Sequence, residues 1–310
     1  MEQLVQALKL NSFYNFLRFD LYQYSLNYLR CVKCHSKLEL ESYLEDEQIH
    51  EGILSCVKCN LVYPIIDDVA FLWNDFASYL YNRPRLGGEL LLGAKTEQIK
   101  SFVKKALSGG AKIQEDASII EKNWTKIYES NKNSEFYDTI KKSLDFGADL
   151  ALEHGCSIGI VIGHLAQKCK QVFGIDRSFY AIRETKKLAI QNADFFVADS
   201  IDNPFGQTQF GLVVGLNILE LIEPKKLLRL LANQIQKNGT LVLSDPYDYE
   251  RGEKSVREPL YENDLRQELA KLGFTISDGT KKPSHIQWNL HLHNRATLQY
   301  LVDLIIASKS

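Results

Sequence analysis

The sequence predicts an α/β protein, a doubly wound sheet of seven strands preceded by a small unit built on four cysteines. Three observations predict it. From residue 116 onward, apolar strand-like runs alternate with helix-like runs, as a doubly wound sheet requires. Within that alternation, an apolar run over 150–152 enters a turn with small residues at Gly155, Ser157 and Gly159. Near the N-terminus, Cys31 with Cys34 and Cys56 with Cys59 form two Cys-x-x-Cys pairs.

The 310 residues exceed one average domain of roughly 100–200 and divide into 1–75, 76–115 and 116–310. Hydrophobic residues make up 45% and charged residues 25%, which excludes a disordered, collagen-like or coiled-coil chain. Thirty-seven Lys and Arg against 39 Asp and Glu give a formal charge of −2. That balance lacks the basic excess of a phosphate binder, so nucleic acid is the disfavoured partner. No apolar run approaches the roughly 20 residues that span a bilayer. The longest, 210–222, contains Asn217 and Glu220. The start, Met1-Glu2-Gln3, shows no basic-then-apolar leader, so the expected compartment is the cytoplasm and no membrane contact is expected.

Residues 1–30 read as an aromatic-rich helix, with Phe13, Phe16, Phe19, Tyr22 and Tyr28, packing on the rest of the protein. A membrane-surface helix would need more than Lys9, Arg18 and Arg30 on its polar face. Residues 31–75 hold the cysteine pairs. In a reducing compartment such pairs bind metal more often than they form disulfides. Each tight turn aims two thiolates at one ion, so Cys31, Cys34, Cys56 and Cys59 complete a tetrahedral zinc site. With four cysteines no position is open for water, and the site is structural. A unit this small needs the ion, because it buries too little apolar surface alone. The segment 76–115 reads as a linker punctuated at Pro84, Gly87, Gly88, Gly109 and Gly110, with a helix over 89–107. Beyond it, strands are expected at 149–154, 171–175, 194–198, 210–216, 239–244, 273–277 and 299–307. Helices are expected at 117–145, 160–169, 179–191, 224–237 and 260–272. Pro224 at the first turn and Gly239 beyond the end mark the fourth of these.

The turn after residue 152 carries the chemistry. Gly155 permits a sharp bend, and the small side chains let a ligand approach the backbone. The following helix N-terminus offers free N–H groups to a carboxylate or phosphate. Asp176 ends the next strand, where a carboxylate receives ribose hydroxyls in dinucleotide sites. Asp199 follows the strand after that. An NAD-binding domain is the rival reading, but the three-glycine spacing and a second catalytic α/β unit are missing.

The stretch 149–245 resembles the class I S-adenosylmethionine-dependent methyltransferases. The resemblance rests on Glu153-x-Gly155-x-Ser157-x-Gly159, with Ser157 where the family has its central glycine, and on Asp176 and Asp199. It implies a Rossmann-like seven-stranded sheet whose last strand is antiparallel, and S-adenosylmethionine as cofactor. It implies that Gly155, Cys156 and Gly159 line the methionine part, and that Glu153 supports the turn or the methionine amine. Asp176 would hold the ribose, Asp199 and Ser200 would meet the adenine, and Asn217 would face the cofactor. The cysteine unit, with Tyr63-Pro64-Ile65-Ile66-Asp67 after its second pair, is similar to the zinc-containing activator subunit of transfer-RNA and protein methyltransferases. That similarity makes a protein partner of the zinc unit one expectation.

The acceptor is harder to read, because a base is needed only if the nucleophile carries a proton at neutral pH. After the fifth strand, Asp245 and Asp248 can orient or deprotonate an amine or imidazole, and Tyr247 can stack on it; a capped turn is the alternative. The segment 283–295 holds His285, His291, His293, Trp288 and Arg295. It reads either as a cap over the site, with His285 as a base, or as a packed helix with polar edges. Trp124, Tyr128 and Tyr137 close over the cofactor or belong to the core. Three functions follow: methyl transfer to the nitrogen or oxygen of a small-molecule or peptide-like acceptor, methylation of ribosomal or transfer RNA gripped by the zinc unit, and a non-catalytic module that recruits a partner.

Overall fold

A computed structural model describes residues 24–46, 49–108, 116–250 and 256–310. Residues 1–23 of the helix expected over 1–30, and Gly109, Gly110 and Arg251, lie outside the described residues. Four strands come first: β1 (Glu39–Glu45), β2 (Ile49–Ser55), β3 (Val62–Ile66) and β4 (Val69–Leu72). Helices α1 (Phe76–Tyr81), α2 (Pro84–Gly93), α3 (Glu97–Leu107), α4 (Ala117–Asn131) and α5 (Glu135–Ser143) follow. The alternating part is β5 (Leu150–His154), α6 (Ile162–Leu165), β6 (Gln171–Asp176), α7 (Phe179–Lys186), β7 (Ala193–Ala198), β8 (Phe210–Leu216), α8 (Pro224–Gln234) and β9 (Ile235–Asp245). The chain closes with α9 (Glu262–Lys271), β10 (Phe274–Ile276), β11 (Ile286–His293) and β12 (Ala296–Lys309).

One sheet runs through the molecule in the order β1-β2-β3-β4-β7-β6-β5-β8-β9-β12-β10, with β11 paired to β12. Strands β4, β7, β6, β5, β8 and β9 are mutually parallel, and β12 runs antiparallel to β9 and β10. The expected antiparallel last strand is therefore present, extended to 296–309. The cysteine unit is joined to this sheet through the β4–β7 pair, where Ala70 faces Phe196 and Leu72 faces Ala198.

Both faces of the sheet are covered, as its near-continuous apolar strands demand. Residues 76–108 form three helices whose buried Leu86, Leu90, Ile99 and Val103 share one core with Phe136, Ile140 and Trp288. The opposite core gathers Leu29, Leu54 and Tyr63 of the cysteine unit with Leu227, Leu231, Leu265 and Leu269. Each fully buried side chain of this kind stabilises by about 1.5–3 kcal/mol.

The helix expected over 117–145 is broken between α4 and α5. At the break, the Asn131 amide donates to the carbonyl of His291 at 3.0 Å and accepts from its N–H at 2.9 Å, tying the end of α4 to β11. The helix expected over 160–169 is reduced to the four residues of α6. The segment 283–295, read as a cap or a packed helix, contains a strand. Trp288 and Leu290 of β11 point inward while Gln287, Asn289 and His291 face out, a period of two. A buried ion pair fixes the base of the β11–β12 hairpin. Arg266 of α9 donates to both oxygens of Asp303 at 2.6 and 3.0 Å, and the Ser284 N–H donates to Asp303 at 2.8 Å.

His154, at the end of β5, is fully buried, with Nε2 at 2.8 Å from the Gln234 side-chain oxygen. Desolvation lowers its pKa from 6.5 to about 4, so the folded protein holds it neutral. The unfolded chain takes up a proton below about 6.5, so this contribution is complete above that pH and is lost as pH falls toward 4. Between pH 8 and pH 5 the loss is about 2 kcal/mol. Urea unfolding of His154→Gln should therefore show a decline over this range that is smaller by that amount. Parallel profiles for the two proteins would contradict it.

Candidate functional site

The strand order reverses at β5. The chain winds from β5 to β6 and β7 on one side, then returns to place β8 and β9 on the other. Such a reversal leaves a crevice beyond the carboxyl ends of the two adjoining strands. A cavity of about 640 Å³ lies there, lined by residues that follow β5, β6, β7 and β8.

The turn after β5 has three residues in the left-handed region at alternate positions: Gly155 (φ 65°), Ser157 (φ 49°) and Gly159 (φ 75°). Ser157, which has a Cβ, takes the same left-handed conformation as the two glycines, at a cost of order 1 kcal/mol. Its N–H donates to Asp176 at 2.9 Å, and its carbonyl accepts from the Thr185 hydroxyl at 2.7 Å. A Cβ on Gly159 would stand 2.4 Å from Thr185 Cγ2, so this glycine lets the turn pack on α7. Gly159 is the one cofactor candidate not among the cavity-lining residues.

The other seven cofactor candidates come together. Glu153, Gly155, Cys156, Asp176, Asp199, Ser200 and Asn217 all line the cavity. Asp176 accepts from the N–H groups of Ser157 and Ser178 at 2.9 and 2.8 Å, which fixes its carboxylate at the end of β6. Burial still raises its pKa above the ordinary value. A carboxylate has about four acceptor sites, so it retains capacity for ligand hydroxyls. Glu153 is buried, and its Oε2 has no hydrogen-bond partner among the described residues. Desolvation, with the Asp176 charge adding to it, pushes its pKa well above the usual carboxylate range. Asn217 has a φ of 54°, donates its N–H to the Ser244 carbonyl at 2.7 Å and accepts from the Ser244 hydroxyl at 2.8 Å. Asp199 accepts from the Ile201 N–H at 2.9 Å, closing the turn after β7.

Aromatic residues form the facing wall. Trp124 and Tyr128 of α4, Tyr137 of α5 and Trp288 of β11 line the same cavity. The Tyr128 and Trp288 rings are parallel within 3° at 6.3 Å. Glu121, Arg177 and Glu220 also line it and were not among the residues the sequence singled out. Nothing marks Glu121 in a linear reading, since α4 packs against the crevice only in the fold. Glu220 registers in the sequence merely as an interruption of an apolar run.

The four catalytic candidates are not among the residues lining the cavity. Asp245 is buried and accepts from the N–H groups of Leu219 and Tyr247, at 2.9 and 2.8 Å. The Tyr247 hydroxyl donates to Asp303 at 2.8 Å. Asp248 accepts from the Tyr300 hydroxyl at 3.0 Å. His285 is exposed at the foot of the hairpin. In this arrangement Asp245 positions the turn after β8, and Tyr247 joins the Arg266–Asp303 pair.

The four paired cysteines form a second centre. Their sulfur atoms all lie within 4.8 Å of one another. The two turns are alike: the N–H of His35 donates to the Cys31 carbonyl at 2.8 Å, and that of Asn60 to the Cys56 carbonyl at 2.8 Å. His35 (φ 57°) and Asn60 (φ 54°) take the left-handed conformation that lets each backbone fold back. The Tyr63 hydroxyl donates to Cys31 Sγ at 3.2 Å. Four converging thiolates on two such turns fit a tetrahedral metal ion.

Residues 152–243, from β5 to β9, match the family described as a methyltransferase domain. The matched stretch holds the ends of β5, β6, β7 and β8 that border the crevice, while α4, α5 and β11, which supply its facing wall, lie outside it. Among solved structures, one similar to this chain is magnesium protoporphyrin IX methyltransferase from Synechocystis PCC 6803 with bound SAH. It shares 18% identity over 61% of this chain and 93% of that one, with a TM-score of 0.43. The N-methyltransferase NodS from Bradyrhizobium japonicum WM9, with S-adenosyl-L-homocysteine, shares 15% identity over 58% of this chain and 90% of that one, with a TM-score of 0.44. A complex between the Haloferax volcanii Trm112 methyltransferase activator and a methyltransferase gives 12% identity over 61% and 96%, with a TM-score of 0.47. No curated protein matches the chain.

Proposed function

We propose that the protein transfers a methyl group from S-adenosylmethionine to a nitrogen or oxygen of a small-molecule or peptide-like acceptor. The observation that carries this reading is the convergence of Glu153, Gly155, Asp176, Asp199 and Asn217 on one cavity at the reversal of strand order, inside the matched methyltransferase domain. The cofactor fits these residues. The bend at Gly155 opens the backbone to the methionine part, and the unpartnered Glu153 Oε2 suits the methionine amine. Asp176 would hold the ribose hydroxyls, and Asp199 and Ser200 the adenine. When bound, the cofactor supplies an electrophilic methyl on a sulfonium. The protein's part is to orient the acceptor and exclude water, which by itself supplies much of the rate. Trp124, Tyr128, Tyr137 and Trp288 serve that exclusion.

Among the described residues, the lining carries five carboxyl side chains (Glu121, Glu153, Asp176, Asp199 and Glu220) and one guanidinium, Arg177. Such a cavity repels phosphates and favours a neutral or cationic acceptor. This supports the small-molecule or peptide reading over RNA. The four-cysteine centre is proposed to hold a structural zinc ion, supported by its four sulfurs and paired turns.

In calorimetry, S-adenosylhomocysteine should bind at one site per chain, and Asp176→Ala should weaken it by about tenfold or more, the effect of losing hydrogen bonds to a charged group. Equal affinity in the two proteins would contradict the role of Asp176. Metal analysis should find one zinc per chain, and its removal by a chelator should lower the thermal midpoint. A metal-free protein with an unchanged midpoint would contradict the zinc assignment.

A further inference from the structure

The stretch Asn82-Arg83-Pro84-Arg85, which reads in the sequence as part of a linker, grips the start of α4. The Asn82 carbonyl accepts from the Ala117 N–H at 2.8 Å, and the Arg85 N–H donates to Asp116 at 3.2 Å. Between them Arg83, 3% exposed, forks onto Glu121 of α4. Its Nε lies 3.1 Å from both carboxylate oxygens, and its Nη2 lies 2.6 Å from Oε1. Its remaining nitrogen, Nη1, donates to the Tyr79 carbonyl at 3.1 Å, and the guanidinium lies over the Tyr79 ring at 4.1 Å. Each nitrogen of this buried cation is therefore engaged, as its removal from water requires.

The same cluster reaches the cofactor cavity. Glu121 and Arg177 both line it, and Arg177 Nε stands 3.8 Å from Glu121 Oε1. Arg177 directly follows Asp176, and its carbonyl accepts from the Tyr79 hydroxyl at 3.0 Å. Glu121 and Asp176 are thus two acidic groups in one poorly solvated wall, where like charges disfavour each other's ionisation. Burial is the largest influence raising the pKa of Asp176. The N–H groups of Ser178 and Ser157 oppose it, the Glu121 charge adds to it, and Arg177 opposes it. Arg177 is 57% exposed and makes a single long contact with Glu121, so water screens it. The buried fork of Arg83 is the stronger counter-charge.

We propose that Arg83 is a positioning residue of the cofactor site: it confines the charge of Glu121 and so leaves Asp176 as a full acceptor for the ribose hydroxyls. The inference rests on the methyl-transfer reading above. Without Arg83, the field of Glu121 acts on Asp176 with only the exposed Arg177 beside it. Asp176 then takes up a proton at higher pH and loses acceptor capacity. Glu153, Cys156 and Tyr79 also interact electrostatically with Asp176. All three stay unchanged in the variants below, so differences between those variants report the Arg83–Glu121 pair.

The test is calorimetric titration of S-adenosylhomocysteine into the full chain from about pH 5 to about pH 8, with Arg83→Met, Glu121→Gln and the double variant beside wild type. Arg83→Met should move the acid limb of the affinity profile up by about one pH unit, which is about a tenfold loss of affinity on that limb. Glu121→Gln, whose amide still accepts from Arg83, should move the limb to lower pH. The double variant carries neither charge and should return to the wild-type profile. A purely structural role for Arg83 predicts instead that the double variant binds as weakly as Arg83→Met, with the limb of both unshifted. That result, or wild-type binding by Arg83→Met, would overturn the inference. If circular dichroism shows Arg83→Met unfolded, Glu121→Gln decides alone, and a limb that stays at the wild-type position overturns the inference equally. Failure of S-adenosylhomocysteine to bind wild-type protein at any pH would instead overturn the methyl-transfer reading on which it rests.

Discussion

The reversal of strand order at β5 is the constraint on which the site depends. The chain runs from β5 to β7 on one side and from β8 to β9 on the other, which leaves a crevice at the carboxyl ends of β5 and β8. The carboxyl ends of four parallel strands open into that crevice. Glu153, Asp176, Asp199 and Asn217, far apart in sequence, reach one cavity for this reason alone. The helices α4 and α5 and the β11–β12 hairpin then close it from the other side, and the Arg266–Asp303 pair secures the hairpin's foot.

Holding backbone close to a ligand has a conformational cost, and part of the molecule's backbone strain falls at the crevice. Ser157 and Asn217, both lining the cavity, are non-glycine residues with positive φ. Each is held by bonds to its surroundings: Ser157 by Asp176 and Thr185, Asn217 by Ser244. Strain of order 1–3 kcal/mol per residue persists only where neighbours over-determine the conformation in this way. The cysteine unit adds a different contribution. By pairing β4 with β7 it covers what would otherwise be an unpaired sheet edge, and it places its own apolar residues in the core shared with α8 and α9.

Much of this was legible in the sequence because it rests on local rules. The parallel strands announce themselves as apolar runs, Gly155 and Gly159 mark the bend, and Pro224 starts α8 as expected. The paired cysteines show their convergence through spacing alone. What the sequence hid depends on tertiary contact. Asp245 resembles an active-site acid by position, yet its oxygens are taken by two backbone N–H groups. Asn131 interrupts a long helix only because β11 lies within hydrogen-bonding reach. Strand β11 follows the alternation Ile286, Trp288, Leu290, Leu292, whereas His285, His291 and His293 at the intervening positions give the linear sequence the look of a cap or a polar-edged helix. Glu121 and Glu220 gain meaning only once the cavity exists.

The central claim is that the crevice at the reversal of strand order holds the methyl donor. A crystal structure of the protein grown with S-adenosylhomocysteine tests it most directly. The account predicts density in this cavity, with ribose hydroxyls on Asp176, the adenine beside Asp199 and Ser200, and the amino-acid end at Glu153 and Gly155. Density at another place on the molecule, or in this cavity with the adenine at Glu153 and the amino-acid end at Asp199, would contradict it.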